Sequence, residues 1–192
     1  MPAAVPEPAR VVAVLAGGRS RRMGRPKAGV PLDGRPLLAH AVAAATAAGL
    51  TPVVVAKAGS VLPPTAAARW DEPDAPQHPL AGVAAALRRA QAPVVVLPVD
   101  LPRVPAALLA ALAARPEPLV VVEGAGRVHP LLGRFSPGHA DALAAAAAEG
   151  APVVRTVRAL GAAVLDAATL VPGGDPAAYL ANVNRPEDLA SA

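Results

Sequence analysis

Short Val-rich runs without polar alternation, each separated from the next by an Ala- and Leu-rich stretch, predict a three-layer, doubly wound (Rossmann-like) α/β domain with a mostly parallel sheet. Strands buried on both faces read as continuous apolar runs, and the intervening stretches have the composition of covering helices. The chain has 192 residues, which suits one domain over 1–192 and leaves no room for a second full core. Hydrophobic residues make up 54% and charged residues 17%, so a sizeable core can be buried and disorder is excluded as the main state.

Residues 1–9 are expected to form a flexible N-terminus. Val11 to Ala16 is rich in β-branched residues, is stopped by Gly17-Gly18, and reads as the first buried strand. Pro52 to Lys57, Pro93 to Pro98 and Pro118 to Glu123 repeat that signature. Between them, Leu37 to Ala48, Leu80 to Ala90 and Ala106 to Ala114 read as helices. Asp71 falls in a loop before the second of these. After Glu123 the pattern loosens: Gly124-Ala-Gly126 signals a turn, Val128 to Phe135 a strand, and His139 to Glu149 an Ala-rich helix. A helix–loop insertion then precedes a last strand at Ala162 to Asp166. Val171 to Pro176 reads as a loop, and Asn182 to Leu189 as the entry to a terminal helix.

Composition narrows the function classes. Only Trp70, Phe135 and Tyr179 are aromatic, so no ladder of rings is available for stacking bases, and nucleic acid is not an expected partner. The absence of Cys excludes a disulfide framework, a thiolate nucleophile and a Cys-built metal site, and fits a reducing cytoplasm. No basic segment leads into an apolar core at the N-terminus, and no apolar run approaches the ~18 residues of a membrane span, so neither export signal nor anchor is expected. Lys plus Arg number 18 against 14 Asp plus Glu, and Arg19, Arg21, Arg22, Arg25 and Lys27 stand together. Five cations in one loop repel one another unless an anion compensates, so a small polyanion is the natural partner.

That loop, Leu15 to Lys27, follows the first strand, where open α/β sheets bind ligands. Gly17 and Gly18 allow backbone to approach a phosphate or base closely. The spacing is neither G-x-x-x-x-G-K-[ST], because Ala28 follows Lys27, nor G-x-G-x-x-G. Lys27 suits a triphosphate as a mobile point charge, and Arg22 suits phosphate oxygens through its planar fork; either could instead be solvated. Asp100 stands just past the Pro93–Pro98 run, and a single carboxylate there suits Mg²⁺, which takes its other ligands from water and phosphates. The helix beginning near Pro105 starts too far downstream for Asp100 to cap it simply. Asp71 could contact nucleotide or metal, or be a solvated loop acid. Asn182 and Asn184 offer amide donors and acceptors, though Asn184 could equally cap the terminal helix. The four histidines show no metal spacing, and no Gly-x-Ser-x-Gly elbow appears.

Leu15-Ala-Gly-Gly-Arg-Ser-Arg-Arg-Met-Gly-Arg-Pro-Lys27 resembles the L-A-G-G-x-S-x-R-M-G-x-x-K signature of the MobA-like nucleotidyltransferases, the family that includes molybdenum cofactor guanylyltransferases. Pro79-Leu-Ala-Gly82 resembles the family's P-L-A-G, Pro98-Val-Asp-Leu-Pro102 its C-D-M-P, His129-Pro130 its late H-P, and Asn182 to Leu189 its N-x-N-T-P-E-D-L. These matches run in family order from Val11 to Leu189.

The resemblance implies a nucleotidyltransferase-type fold and Mg²⁺-dependent transfer of GMP from GTP to the terminal phosphate of molybdopterin, with release of pyrophosphate. It implies a nucleotide-binding loop of Leu15, Ala16, Gly17, Gly18, Arg19 and Ser20. It further implies Lys27 on the triphosphate, Asp71 on the nucleotide and Asp100 on Mg²⁺, with Arg22 assisting. Arg103, His129, Arg134, Asn182 and Asn184 are candidates to line an acceptor pocket. Cofactor-delivery proteins or molybdoenzymes are candidate partners. Departures occur where the family often has an Asp before the motif lysine and an Asn after the second strand: here stand Pro26 and Ala56, which bears on purine choice. His78 stands where a Gly commonly precedes P-L-A-G. The pair Gly17-Gly18 resembles the guanylyl branch better than the L-A-A-G of the cytidylyl branch. Alternatives are a related enzyme using CTP or another phosphate acceptor, and a non-catalytic carrier of nucleotide or cofactor.

Overall fold

In the computed structural model, which describes residues 7–17, 26–183 and 188, the apolar runs become the centre of a seven-stranded sheet. Strand β1 (Val11–Leu15) lies between two parallel neighbours, β4 (Thr51–Lys57) and β6 (Val94–Pro98). Val12, Ala13 and Val14 are fully buried, as a strand covered on both faces requires. The order continues outward from β4 to β5 (Ala68–Glu72), and from β6 through β8 (Arg127–Phe135) and β7 (Leu119–Gly124) to β9 (Ala163–Asp166). Every pairing is parallel except those of β8, which runs back beside both β6 and β7. Ala125 and Gly126, both at positive φ, make the two-residue turn that reverses the chain from β7 into β8.

The two faces are covered by different helices, giving the three layers. On one side α1 (Leu37–Ala47), α3 (Ala106–Ala113) and α6 (Ala167–Leu170) pack against Val12, Val14, Val54, Val95 and Leu97. On the other, α2 (Pro79–Ala90), α4 (Ala140–Ala148) and α5 (Val153–Ala159) cover Ala13, Val53, Val55, Val94 and Val96. Alternating strand residues feed the two cores, as the period of two demands. The helix α7 (Pro176–Tyr179) follows, capped by the Asp175 side chain.

Several expectations change in detail. Asp71 lies in β5 rather than in a loop; β5 is an edge strand paired only with β4, and its sequence Ala-Arg-Trp-Asp-Glu lacks the Val-rich signature. Residues 7–9 of the expected flexible N-terminus are tied down: Ala9 is buried and its N–H donates to the Ala113 carbonyl at 2.9 Å. The helix–loop insertion expected before the last strand is α5, whereas the small hairpin of β2 (Pro31–Leu32) and β3 (Arg35–Pro36) has no counterpart in the sequence reading. That hairpin turns on Asp33-Gly34, both at positive φ, a strong turn pair flanked by strands too short to show periodicity.

Candidate functional site

From β1 the chain passes through α1 to β4 on one side, whereas α2 carries it from β5 to β6 on the other. The strand order therefore switches direction between β1 and β6, and a crevice opens beyond their carboxyl ends. Three sequence-predicted groups meet around it: Ala16-Gly17 leaving β1, Lys27 opening the 3₁₀ turn Lys27–Gly29, and Asp100 just past β6. Lys27 Nζ donates to Asp100 Oδ2 at 3.1 Å across 73 residues of sequence, with the side chains 15% and 22% exposed. Backbone bonds fix the frame: Ala16 N–H donates to the Val55 carbonyl at 2.9 Å, Val99 N–H to the Leu15 carbonyl at 3.2 Å, and Val183 N–H to the Asp100 carbonyl at 2.9 Å.

The donor set fits Mg²⁺. Asp100 is a hard oxygen donor, partly open to solvent, that already has a cation on one oxygen. Among the described residues no three His, Cys, Asp or Glu side chains converge, so an all-protein cage of the zinc kind has no ligands there. Magnesium characteristically takes one or two carboxylates and completes its shell with water and substrate phosphates.

A second carboxylate stands at the end of β5, beside Gly17. Alternation puts Asp71 and Glu72 on opposite faces of β5. Asp71 turns outward, its side chain 62% exposed and held by Arg69 Nε at 2.8 Å; Arg69 also donates to the carbonyls of Ser60 and Ala58, at 3.2 and 2.8 Å. Glu72 turns inward and is 10% exposed, between Gly17 and Gly82. Burial raises its carboxyl above the ordinary value, and Lys57, whose Nζ is 4.0 Å away, opposes that shift.

The acceptor-pocket candidates divide. Arg127 donates to the Asn182 side-chain oxygen and, at 3.3 Å, to the Leu180 carbonyl, which holds Asn182 near the carboxyl end of β7. His129 pairs with Val122 at that same end and is buried, with Nε2 lacking a partner among the described residues. Burial, and next the Arg127 guanidinium, push its imidazole below the ordinary value, with the Gly124 backbone and Asp100 opposing. Arg103 reaches Asp33 at 3.4 Å, at the exposed β2–β3 turn.

Arg134 does not join them. It pairs with Val95 and Val120 near the amino ends of β6 and β7, five residues or about 17 Å along β8 from His129. It is 1% exposed and donates to the carbonyls of Glu117 and Glu7, at 2.6 and 2.8 Å, and to Ser136 Oγ at 3.0 Å. Buried charge at the wrong end of the sheet makes it a strut joining the N-terminal segment to β7 and β8. Gly18, Arg19, Ser20, Arg22 and Asn184 lie outside the described residues.

The family model of the MobA-like NTP transferase domain matches residues 12–172. The chain belongs to this family. A molybdenum cofactor guanylyltransferase of Rhizobium johnstonii is 40% identical over 128 residues, 62% of this chain and 60% of that one. The chain thus spans less than two thirds of the length of that relative. The molybdenum cofactor guanylyltransferase of Xanthomonas euvesicatoria is 36% identical over 176 residues, covering 91% and 89% of the two chains. Among solved structures, the molybdopterin-guanine dinucleotide biosynthesis protein A of Archaeoglobus fulgidus has the same fold, with a TM-score of 0.79 at 23% identity over 94% of this chain and 95% of that one.

Within this MobA-like frame, Glu72 and Lys57 are the residues that sequence reasoning missed. A signal was present: each ends an edge-side strand of the sheet, beside the predicted ligand loop. It was masked because Asp71, one residue earlier, carried the resemblance.

Proposed function

We propose that this MobA-like chain acts in the cytoplasm as a single-domain, Mg²⁺-dependent guanylyltransferase that transfers GMP from GTP to the terminal phosphate of molybdopterin. The observation that carries the reading is the Lys27–Asp100 pair at the switch-point crevice, beside the motif loop. The names of the relatives at 33–42% identity support the choice of substrates.

An oxygen of the acceptor phosphate attacks the α-phosphorus of GTP, a new P–O–P linkage forms, and the bond to the β-phosphate breaks to release pyrophosphate. Both reactants are anions, so the main obstacles are their repulsion and their alignment, and no protein nucleophile is required. Lys27 places its ammonium where the triphosphate lies and, released from Asp100, offsets its charge. Asp100 would hold Mg²⁺, which supplies further neutralisation of the phosphates when bound. The Leu15 to Ser20 loop presents backbone donors to the nucleotide, and Arg22 grips phosphate oxygens. His129 and Asn182 take the acceptor side, with Arg103 at the rim, and Asn184 is assigned to the acceptor by its motif alone.

Thermal stabilisation by GTP, CTP, ATP and UTP, each with and without Mg²⁺, tests the reading. Binding at 100 times Kd adds about 2.7 kcal/mol, hence roughly 5–11 °C for a chain of this size. A Mg²⁺-dependent shift with GTP alone is expected. A shift with CTP instead, or with no nucleotide, overturns the guanylyl assignment.

A further inference from the structure

Resting on the guanylyl reading, we propose that Arg127 is the positioning residue of the acceptor side, holding the Asn182 amide so that its NH₂ group, and not its oxygen, meets the acceptor phosphate. Arg127 opens β8 directly after the Ala125-Gly126 turn and pairs with Gly124 across the hairpin. Val128 packs into the core under α2, α4 and α5, so alternation puts Arg127 and His129 on the other face, that of Leu180 and Val183. From there the guanidinium donates to two groups of the segment after α7, the Leu180 carbonyl at 3.3 Å and the Asn182 side-chain oxygen.

The backbone on either side of Asn182 is already fixed. A Cβ on Gly124 would stand 2.6 Å from Leu180 Cδ1 and 3.1 Å from Ala167 Cβ, so the glycine lets the hairpin and this segment lie in contact, and Leu180 is buried there. One residue beyond Asn182, buried Val183 donates its N–H to the Asp100 carbonyl at 2.9 Å. Asn182 thus spans the hairpin end of the sheet and the backbone of the candidate metal ligand, and what is left to set is its side chain. Two residues along β8, buried His129 brings an Nε2 without a partner among the described residues, the kind of polar atom that a bound ligand satisfies.

The chemistry decides which end of the amide is presented. An Asn side chain accepts at one end and donates twice at the other, whereas a guanidinium only donates. Its bond to Arg127 therefore commits the Asn182 oxygen and leaves the NH₂ group for the ligand. The terminal phosphate of the acceptor is an anion with acceptor oxygens, which the NH₂ group complements. A flipped amide would set oxygen against oxygen. The positive charge behind the carbonyl also polarises the amide and strengthens its N–H donors, as in other hydrogen-bond chains. Because Arg127 acts through Asn182, its removal matters only while Asn182 is present.

The test is a double-mutant cycle in steady-state kinetics with Mg-GTP and molybdopterin. Arg127→Met, which keeps the length of the stem and removes the donors, is expected to raise the acceptor KM at least about tenfold while kcat and the KM for GTP stay within about twofold. Made in the Asn182→Ala background, the same substitution should raise the acceptor KM by less than about twofold further. An unchanged acceptor KM, a parallel rise in both KM values, or the full effect repeated without Asn182 overturns the proposal and leaves Arg127 a structural tie. Should Arg127→Met fail to fold, Arg127→Gln, which stays polar at the exposed hairpin but is too short to serve both acceptors, runs the same cycle with the same outcomes. Absence of any dinucleotide product from the wild-type chain overturns the guanylyl reading, and the inference with it; wild-type product with an acceptor KM that Arg127 does not move overturns the inference alone.

Discussion

Substituting Gly82 by Ala separates stability from nucleotide recognition. Gly82 is the fourth residue of α2, and Gly in a helix interior is less favourable than Ala by up to about 1 kcal/mol. The added methyl would lie 3.4 Å from Leu15 Cδ2 and 3.5 Å from Val55 Cγ1, ordinary van der Waals contacts that add burial. Against this, it would stand 2.5 Å from Glu72 Oε2, too close to coexist, so the carboxylate must swing aside. Because that oxygen ends a flexible side chain, the displacement costs little strain and about offsets the helical gain. Net stability is therefore expected within ~1 kcal/mol of wild type, a shift in Tm of no more than about 4 °C. Nucleotide recognition bears the cost: the displaced carboxylate lies beside Gly17 of the nucleotide loop, so moving it is expected to weaken GTP at least about tenfold, or ~1.4 kcal/mol. Differential scanning calorimetry and GTP titration of the same preparation measure the two quantities. Unchanged GTP affinity would refute the reasoning, as would a loss of stability above ~3 kcal/mol, since the carboxylate would then be a rigid part of the fold.

Asp100→Ala is expected to cut nucleotidyl transfer at least about a hundredfold while changing stability by no more than ~1 kcal/mol, because the pair with Lys27 is partly solvated; near-normal transfer by folded protein would remove Asp100 from the site. Arg134→Met should lower stability by about 1–3 kcal/mol, since it removes the donors to the part-buried Glu117 and Glu7 carbonyls, with acceptor KM unchanged; a raised KM at unchanged Tm would return Arg134 to the pocket. Glu72 predicts a pH signature for the ligand-free protein. Its raised carboxyl means the folded state holds the proton more tightly than the unfolded chain, so this residue's contribution worsens as pH rises above about 4.5. The Tm advantage of Glu72→Gln over wild type should therefore grow from pH 4 to pH 7, and a shrinking difference would contradict the burial argument.

The central strands and the three long helices around them were legible because burial on both faces leaves unbroken Val runs, and Ala- and Leu-rich segments have few alternatives to helix. Their observed limits fall within two residues of those read from the chain. The meeting of Asp100 and Lys27 had a different sequence signal: a carboxylate just past a buried strand has few structural uses, and Lys27 closes the cation-rich loop that follows β1. Other features depended on tertiary contacts that one-dimensional patterns do not carry. β5 is an edge strand stabilised by pairing with β4, and its Arg69, Asp71 and Glu72 read locally as loop. Only the pleat separates Asp71 from Glu72: the resemblance falls on the residue that is 62% exposed, and its neighbour is the one 10% exposed beside Gly17 and Gly82. Arg134 looked like an anion ligand because burial is invisible in composition; its three acceptors come from Glu7, Glu117 and Ser136, of which Glu7 is 127 residues away.

The most direct measurement of the central claim is product analysis after incubating the purified chain with molybdopterin, Mg²⁺ and each nucleoside triphosphate. The account predicts that GTP alone is consumed, with one pyrophosphate released for each molybdopterin-guanine dinucleotide formed. Formation of the cytosine dinucleotide, or consumption of GTP without a dinucleotide product, would contradict it.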